Sequence, residues 1–151
     1  MIRKAKLKDA KAIADLVNFH AEQGRMLFRR TKEVAENIRD YFVVEAEGKI
    51  VGCVALHLYN ENLSEIKALA VDPHQQKKGY GRMMLEKCME EARNLEIPRI
   101  FALTYVPGLF EKFGFKKADK ATLPEKIWKE CIQCKKYEDC DEIRVIYASE
   151  K

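Results

Sequence analysis

The sequence lacks any apolar run approaching the roughly 18–20 residues needed to cross a bilayer. Its N-terminus, Met1-Ile-Arg-Lys-Ala-Lys, also lacks the apolar stretch of a signal peptide. The opening residues therefore read as a strand, the protein as cytoplasmic, and no membrane partner is expected. There is no internal repeat, no low-complexity tract and no linker rich in glycine, proline or serine, with only 7 Gly and 4 Pro in 151 residues. A single domain over 1–151 is the simplest organisation. A large charge excess is missing too: 28 basic against 24 acidic residues leave +4. Without a long basic run no nucleic-acid partner is expected, and the mild balance suits a polyanionic small molecule. An export signal is also absent, so the 5 cysteines do not suggest a disulfide framework. Cys53 and Cys88 lie within apolar patterns and read as small core residues.

What is present is a soluble, foldable composition, 47% hydrophobic and 34% charged. Met1–Ala5 reads as a short strand. Asp9 can cap a helix over about 9–22, with Ile13, Leu16, Val17 and His20 at helical spacing and Gly24 as its stop. Thr31 reads as the cap of a second helix that buries Val34 and Ile38. Tyr41–Glu45 and Ile50–Tyr59 form a hairpin about Glu47-Gly48, and Ser64–Val71 comes next as a further strand, stopped by Pro73. Gly79–Asn94 is a helix whose Met84, Leu85, Cys88 and Met89 make an apolar stripe. Pro98 precedes a strand at Arg99–Thr104, Pro107 opens a short helix over about 108–113 closed by Gly114, and Glu142–Tyr147 is the last strand. The order is that of a mixed α/β fold, an antiparallel meander and then a βαβ step.

The chemistry concentrates in Glu65-Ile-Lys-Ala-Leu-Ala-Val71-Asp-Pro73-His-Gln-Gln76-Lys-Lys-Gly79-Tyr-Gly81-Arg82: a strand, a proline stop, a glycine-bearing loop and a helix start. A helix N-terminus leaves about four backbone N–H groups unpaired and carries partial positive charge, so phosphates bind there readily. Gly79 and Gly81 let the backbone approach an anion, and Lys77, Lys78 and Arg82 add charge. The segment is neither a P-loop nor the dinucleotide fingerprint, because both signature patterns are incomplete.

Taken whole, it resembles the acetyl-CoA-binding motif of the GCN5-related N-acetyltransferases, V-x-P-x-x-[RQ]-x-x-G-x-[GA], matched by Val71, Pro73, Gln76, Gly79 and Gly81. Phe110-Glu-Lys-Phe-Gly114-Phe115 is similar to that family's closing Y-x-K-x-G-F segment. The resemblance spans essentially the whole chain. It implies a mixed, mostly antiparallel central sheet flanked by helices. It also implies acetyl-CoA as cosubstrate, its pyrophosphate held by backbone N–H groups of Gln76, Lys77, Lys78, Gly79, Tyr80, Gly81 and Arg82. The pantetheine arm would lie along Leu69, Ala70 and Val71, beside a bulge that splays two strands.

Three further segments narrow the resemblance. His20-Ala-Glu-Gln-Gly24-Arg-Met-Leu27-Phe-Arg29 looks like the H-x-x-x-G-x-L-L-P-R segment of bacterial N-acetylglutamate synthases, which open arginine biosynthesis. Asn37-Ile-Arg-Asp-Tyr-Phe-Val-Val-Glu45 is similar to their N-I-R-D-F-x-V-x-E. Leu123-Pro-Glu-Lys-Ile-Trp128 through Cys131, Cys134 and Cys140 resembles the tail of the short synthases that lack a kinase-like domain. The implied acceptor is the α-amine of L-glutamate. Leu27, Arg29 and Thr104 would line its site, Arg29 either gripping a carboxylate as a bidentate fork or serving as a surface charge.

By the same resemblance Glu65 is the general base; read alone, it is equally a charged residue at a strand edge. Phe110 stands where many members carry a tyrosine acid, leaving Tyr105 as a substitute acid or as packing. A thiolate also leaves without help near neutral pH, since a thiol pKa is about 8.5. His20 is left unassigned. Cys131-x-x-Cys134-x5-Cys140 is short of the four ligands of a structural zinc site, so no metal is expected, and a packed reduced loop is the alternative. A homodimer is expected from family habit alone. The competing functions are acetyl transfer to another small amine or amino acid, and a CoA-binding regulatory domain without turnover.

Overall fold

The computed structural model describes residues 1–24, 26, 28–104, 106–118 and 143–148. Strand β1 (Ile2–Lys4) leads through a 3-10 turn (Leu7–Asp9) into α1 (Ala10–Glu22) and α2 (Thr31–Glu36). A second 3-10 turn (Ile38–Asp40) precedes the meander β2 (Tyr41–Ala46), β3 (Lys49–Asn60) and β4 (Leu63–Val71). A third (Pro73–Gln75) precedes α3 (Tyr80–Asn94), and after it come β5 (Arg99–Thr104), α4 (Pro107–Glu111), β6 (Lys116–Lys117) and β7 (Ile143–Ala148). These strands form one sheet of order β1-β2-β3-β4-β5-β7-β6. Every described neighbouring pair is antiparallel except β4–β5. The expected mixed, mostly antiparallel α/β sheet is the observed one.

Local chemistry explains most of the boundaries. Glu47 and Gly48 both adopt positive φ (52° and 76°), the backbone demanded by a tight two-residue hairpin. Gly24 (φ 74°) closes the turn after α1 and Gly114 (φ 92°) the one after α4, where a side chain would be strained. Two expected caps are corrected. Asp9 does precede α1, but its carboxylate makes no cap bond; it accepts instead from the Lys6 N–H and from Arg3. Thr31 is the first residue of α2 rather than its cap, a position taken by Arg30. Ile38 lies in the separate 3-10 turn.

The sheet separates two apolar clusters. On one side α1 and α2 bring Ile13, Val17 and Val34 against Val43, Cys53 and Ala70. On the other, α3 and α4 bring Met84, Leu85, Cys88 and Phe110 against Val54 and Ile66. Gly52 lets α3 sit close: a Cβ there would meet Met84 Cε at 3.1 Å. Each fully buried aliphatic side chain contributes roughly 1.5–3 kcal/mol of transfer free energy. No helix among the described residues is long and apolar enough to cross a membrane.

Two irregularities shape the site. Cys53 pairs with Ala70 but Ala55 with Lys67, so β4 carries an extra residue against β3, and Ala68 sits at φ 56°, a β-bulge. On its other edge β4 pairs with β5 only at Leu63–Arg99, Ser64–Ile100 and Glu65–Phe101. From there β4 runs on to Val71 and β5 to Thr104 unpaired with each other. The strands diverge from Glu65 onward and leave a V-shaped opening between them.

Candidate active site

Glu65 sits at the apex of that V, 5% exposed. Its Oε1 accepts a hydrogen bond of 2.6 Å from the Tyr59 hydroxyl. The Tyr59 ring stacks on Phe101 with centroids 5.9 Å apart and meets His57 edge-on at 5.0 Å. His57 Nδ1–H donates to Asp40 Oδ2 at 2.7 Å. His57 also faces Glu65 across the β3–β4 register. Tyr59, His57 and Asp40 were not among the residues picked out from sequence. The available signal was alternation: His57 and Tyr59 share one face of β3.

The two arms of the V carry the other expected residues. Along β4, Ala70 is buried toward α1, while Leu69 and Val71 pack partly against the α3 side. Because β5 has departed, this stretch of β4 offers backbone groups along an open edge. At the end of β5, Thr104 is 7% exposed, and its Oγ1 accepts from the Val106 N–H at 2.9 Å.

The path from β4 to α3 is held at several points. His20, which sequence left unassigned, is buried and donates from Nε2 to the Val71 carbonyl at 2.9 Å. The Asp72 N–H donates to Val51 O, and Asp72 Oδ1 accepts from the His74 N–H, each at 2.8 Å. Lys77 (φ 66°) and Gly79 (φ 80°) are left-handed and turn the chain sharply into α3. The helix begins without a side-chain cap and without an acidic residue in its first turn. Its first intrahelical bond runs from the Met83 N–H to Gly79 O, so the N–H groups of Tyr80, Gly81 and Arg82 precede it. Around this start Gln76, Lys77, Lys78 and Arg82 are exposed. Lys78 donates to Gln75 Oε1 (2.7 Å), and Arg82 reaches Glu86 one turn on (3.3 Å).

Arg29 precedes α2, its backbone pinned twice by Asn18: the Arg29 N–H donates to Oδ1 and its carbonyl accepts from Nδ2, both at 2.8 Å. Asn18 is a further residue that sequence reading missed. Burial pushes the Tyr41 hydroxyl up to about 12, and the Arg29 charge opposes the rise. Through Asn18 the Arg29 backbone is tied to α1. Leu27 and Tyr105, and Cys131, Cys134 and Cys140 with them, lie outside the described residues.

Neither described cysteine serves as a nucleophile. Burial pushes the Cys53 and Cys88 thiols up to about 12, so both stay protonated at neutral pH. Phe110 is 2% exposed and packs edge-on against Phe115 at 5.3 Å; it is a core side chain.

Similarity to known proteins agrees with this geometry. An uncharacterised N-acetyltransferase of Chlorobaculum tepidum is 37% identical over 96% of this chain and 94% of its own length. An amino-acid acetyltransferase of Mycobacterium tuberculosis is 30% identical over 91% of this chain and 79% of its own. Among solved structures, N-acetylglutamate synthase from Neisseria gonorrhoeae, complexed with coenzyme A and N-acetyl-glutamate, superposes with a TM-score of 0.88 at 29% identity. That match covers 100% of this chain and 35% of the synthase. The acetyltransferase (GNAT) family model matches residues 9–115, and the chain belongs to that family.

Proposed function

We propose that this acetyltransferase moves an acetyl group from acetyl-CoA to the α-amine of L-glutamate, the reaction that opens arginine biosynthesis. One observation carries the reading: a buried carboxylate at the apex of a strand fork whose long arm leads into an uncapped, cation-flanked helix start. The relatives named for amino-acid acetylation support the choice of acceptor.

The chemistry of the α3 start fits a pyrophosphate. Free N–H groups, two left-handed residues and exposed Lys77, Lys78 and Arg82 face outward with no competing acid in the first turn. Gln76 to Arg82 would hold the diphosphate, and the open edge of Leu69–Val71 would pair with the pantetheine amides as an added strand. Bound acetyl-CoA supplies an activated acyl thioester. Glu65 accepts the proton that the attacking amine must lose, directly or through water. Backbone N–H groups on Leu69–Val71 stabilise the developing oxyanion. Arg29 grips a carboxylate of the amino acid, with Thr104 and Leu27 lining the same site, and Tyr105 is a candidate proton donor to the leaving thiolate.

The test is CoA release from acetyl-CoA across the twenty amino acids, with mass detection of the acetylated product. Preference for glutamate is the expected result. Turnover of another amine alone would discard the glutamate pocket, and CoA binding without turnover would favour a regulatory domain.

A further inference from the structure

We infer that Tyr59 is a positioning residue for the Glu65 carboxylate, locked in place by a brace of His57 and Asp40. The inference rests on the reading of Glu65 as general base. A glutamate on a strand has three side-chain torsions, and only a fixed carboxylate presents the same lone pairs to every incoming amine. Tyr59 supplies the fixing. Its hydroxyl donates to Oε1 at 2.6 Å, a short bond to an acceptor that is 5% exposed.

Tyr59 is itself held, by ring contact with Phe101 on one side and His57 on the other. His57 is anchored outside the hairpin: its Nδ1 binds Asp40 Oδ2, on the turn that leads into β2. Three segments thus converge on one carboxylate oxygen. With its proton committed to Glu65, Tyr59 orients the base rather than transferring a proton.

The experiment compares Tyr59→Phe and Glu65→Gln, alone and combined, with Asp40→Asn as a milder variant that leaves both Tyr59 and Glu65 intact. Expected for Tyr59→Phe is a kcat lower by about 10- to 100-fold, the worth of one hydrogen bond to a charged group, with KM for acetyl-CoA unchanged. In the Glu65→Gln background the same change should cost nothing further, because residues acting as one unit are non-additive. Asp40→Asn should lower kcat in the same sense by a smaller factor, and likewise only when Glu65 is present.

If Tyr59→Phe lowers the unfolding temperature but leaves kcat intact, or lowers kcat equally with and without Glu65, the positioning role is overturned. If Tyr59→Phe does not fold, the Asp40→Asn pair decides on the same criteria. Full activity of Glu65→Gln alone would instead remove the general-base reading, a failure separately visible.

Discussion

Helices α1 and α3 flank the sheet on opposite faces, run 13 and 15 residues, and each buries a single apolar stripe. They differ at their first turns. The start of α1 has a carboxylate beside it: Asp9, 5% exposed, accepts two bonds from Arg3 and one from the Lys6 N–H. Arg3 is shared with Glu45 of β2 at 2.8 Å, so the charges there are answered within the protein. The start of α3 has a left-handed glycine in place of a cap and basic side chains with no acid in the first turn. Two helices of similar length and packing therefore do different work. A terminus whose charge is neutralised internally ties the edge strand to the first helix, whereas that of α3 keeps exposed basic side chains and no acid in its first turn.

The sharpest way to break this contrast is to reverse the charge at α3. Lys77→Glu with Arg82→Glu should raise KM for acetyl-CoA about 100-fold, each reversal costing on the order of 1 kcal/mol or more beside a polyanion. The unfolding temperature should hold, since both side chains are exposed. Unchanged CoA binding by calorimetry would mean that the two termini are equivalent.

The reciprocal change, Asp9→Asn, should cost roughly 1–3 kcal/mol of stability through the Arg3 bonds and leave CoA affinity alone. The Arg3 hydrogen bonds hold the Asp9 carboxyl below its ordinary range, against the opposing effect of burial. A lowered folded-state pKa contributes stability that is present above the unfolded value, about 3.9, and is lost as pH falls toward the folded one. Denaturant midpoints of Asp9→Asn should accordingly fall less steeply than those of the parent below that pH.

Gly79→Ala meets no atom within 4 Å, so only its left-handed backbone opposes the change, at about 1 kcal/mol. It should weaken CoA binding and stability together, measured by ligand titration and urea unfolding. Smallest of all, Glu86→Gln removes an exposed partner of Arg82 and should change stability by less than about 0.5 kcal/mol, while sharpening CoA binding slightly at low salt.

What the sequence made legible was whatever depends on neighbours along the chain. Pro98 and the apolar run after it delimit β5 at Arg99–Thr104, and Gly79 marks the start of α3 to within one residue. Asp9 departs from the cap rule for the complementary reason. That rule weighs a residue only against the few positions C-terminal to it, and Asp9 is claimed by Arg3, which strand pairing delivers from the opposite direction. β6 is two residues long, too short for any periodicity to register. In the site, the helix start stood out through local pattern, and Glu65 only through the family resemblance. Tyr59 did not, because it reaches Glu65 across a hairpin whose register shifts between Leu58 and Asn60, so counting outward from the turn does not reveal the pair.

The bulge at Ala68 makes the length of β4 a form of information. Before it, odd-numbered Leu63 and Glu65 share the face of Tyr59; after it, even-numbered Ala68 and Ala70 take the α1 side and Leu69 and Val71 the other. The strand is read in two frames, joined by one inserted residue. Substitution can change its letters one at a time, but removing a single residue here would shift every later letter to the opposite page, exchanging the sides on which α1 and α3 find their partners. Along this stretch the protein can vary its spelling while its count stays fixed.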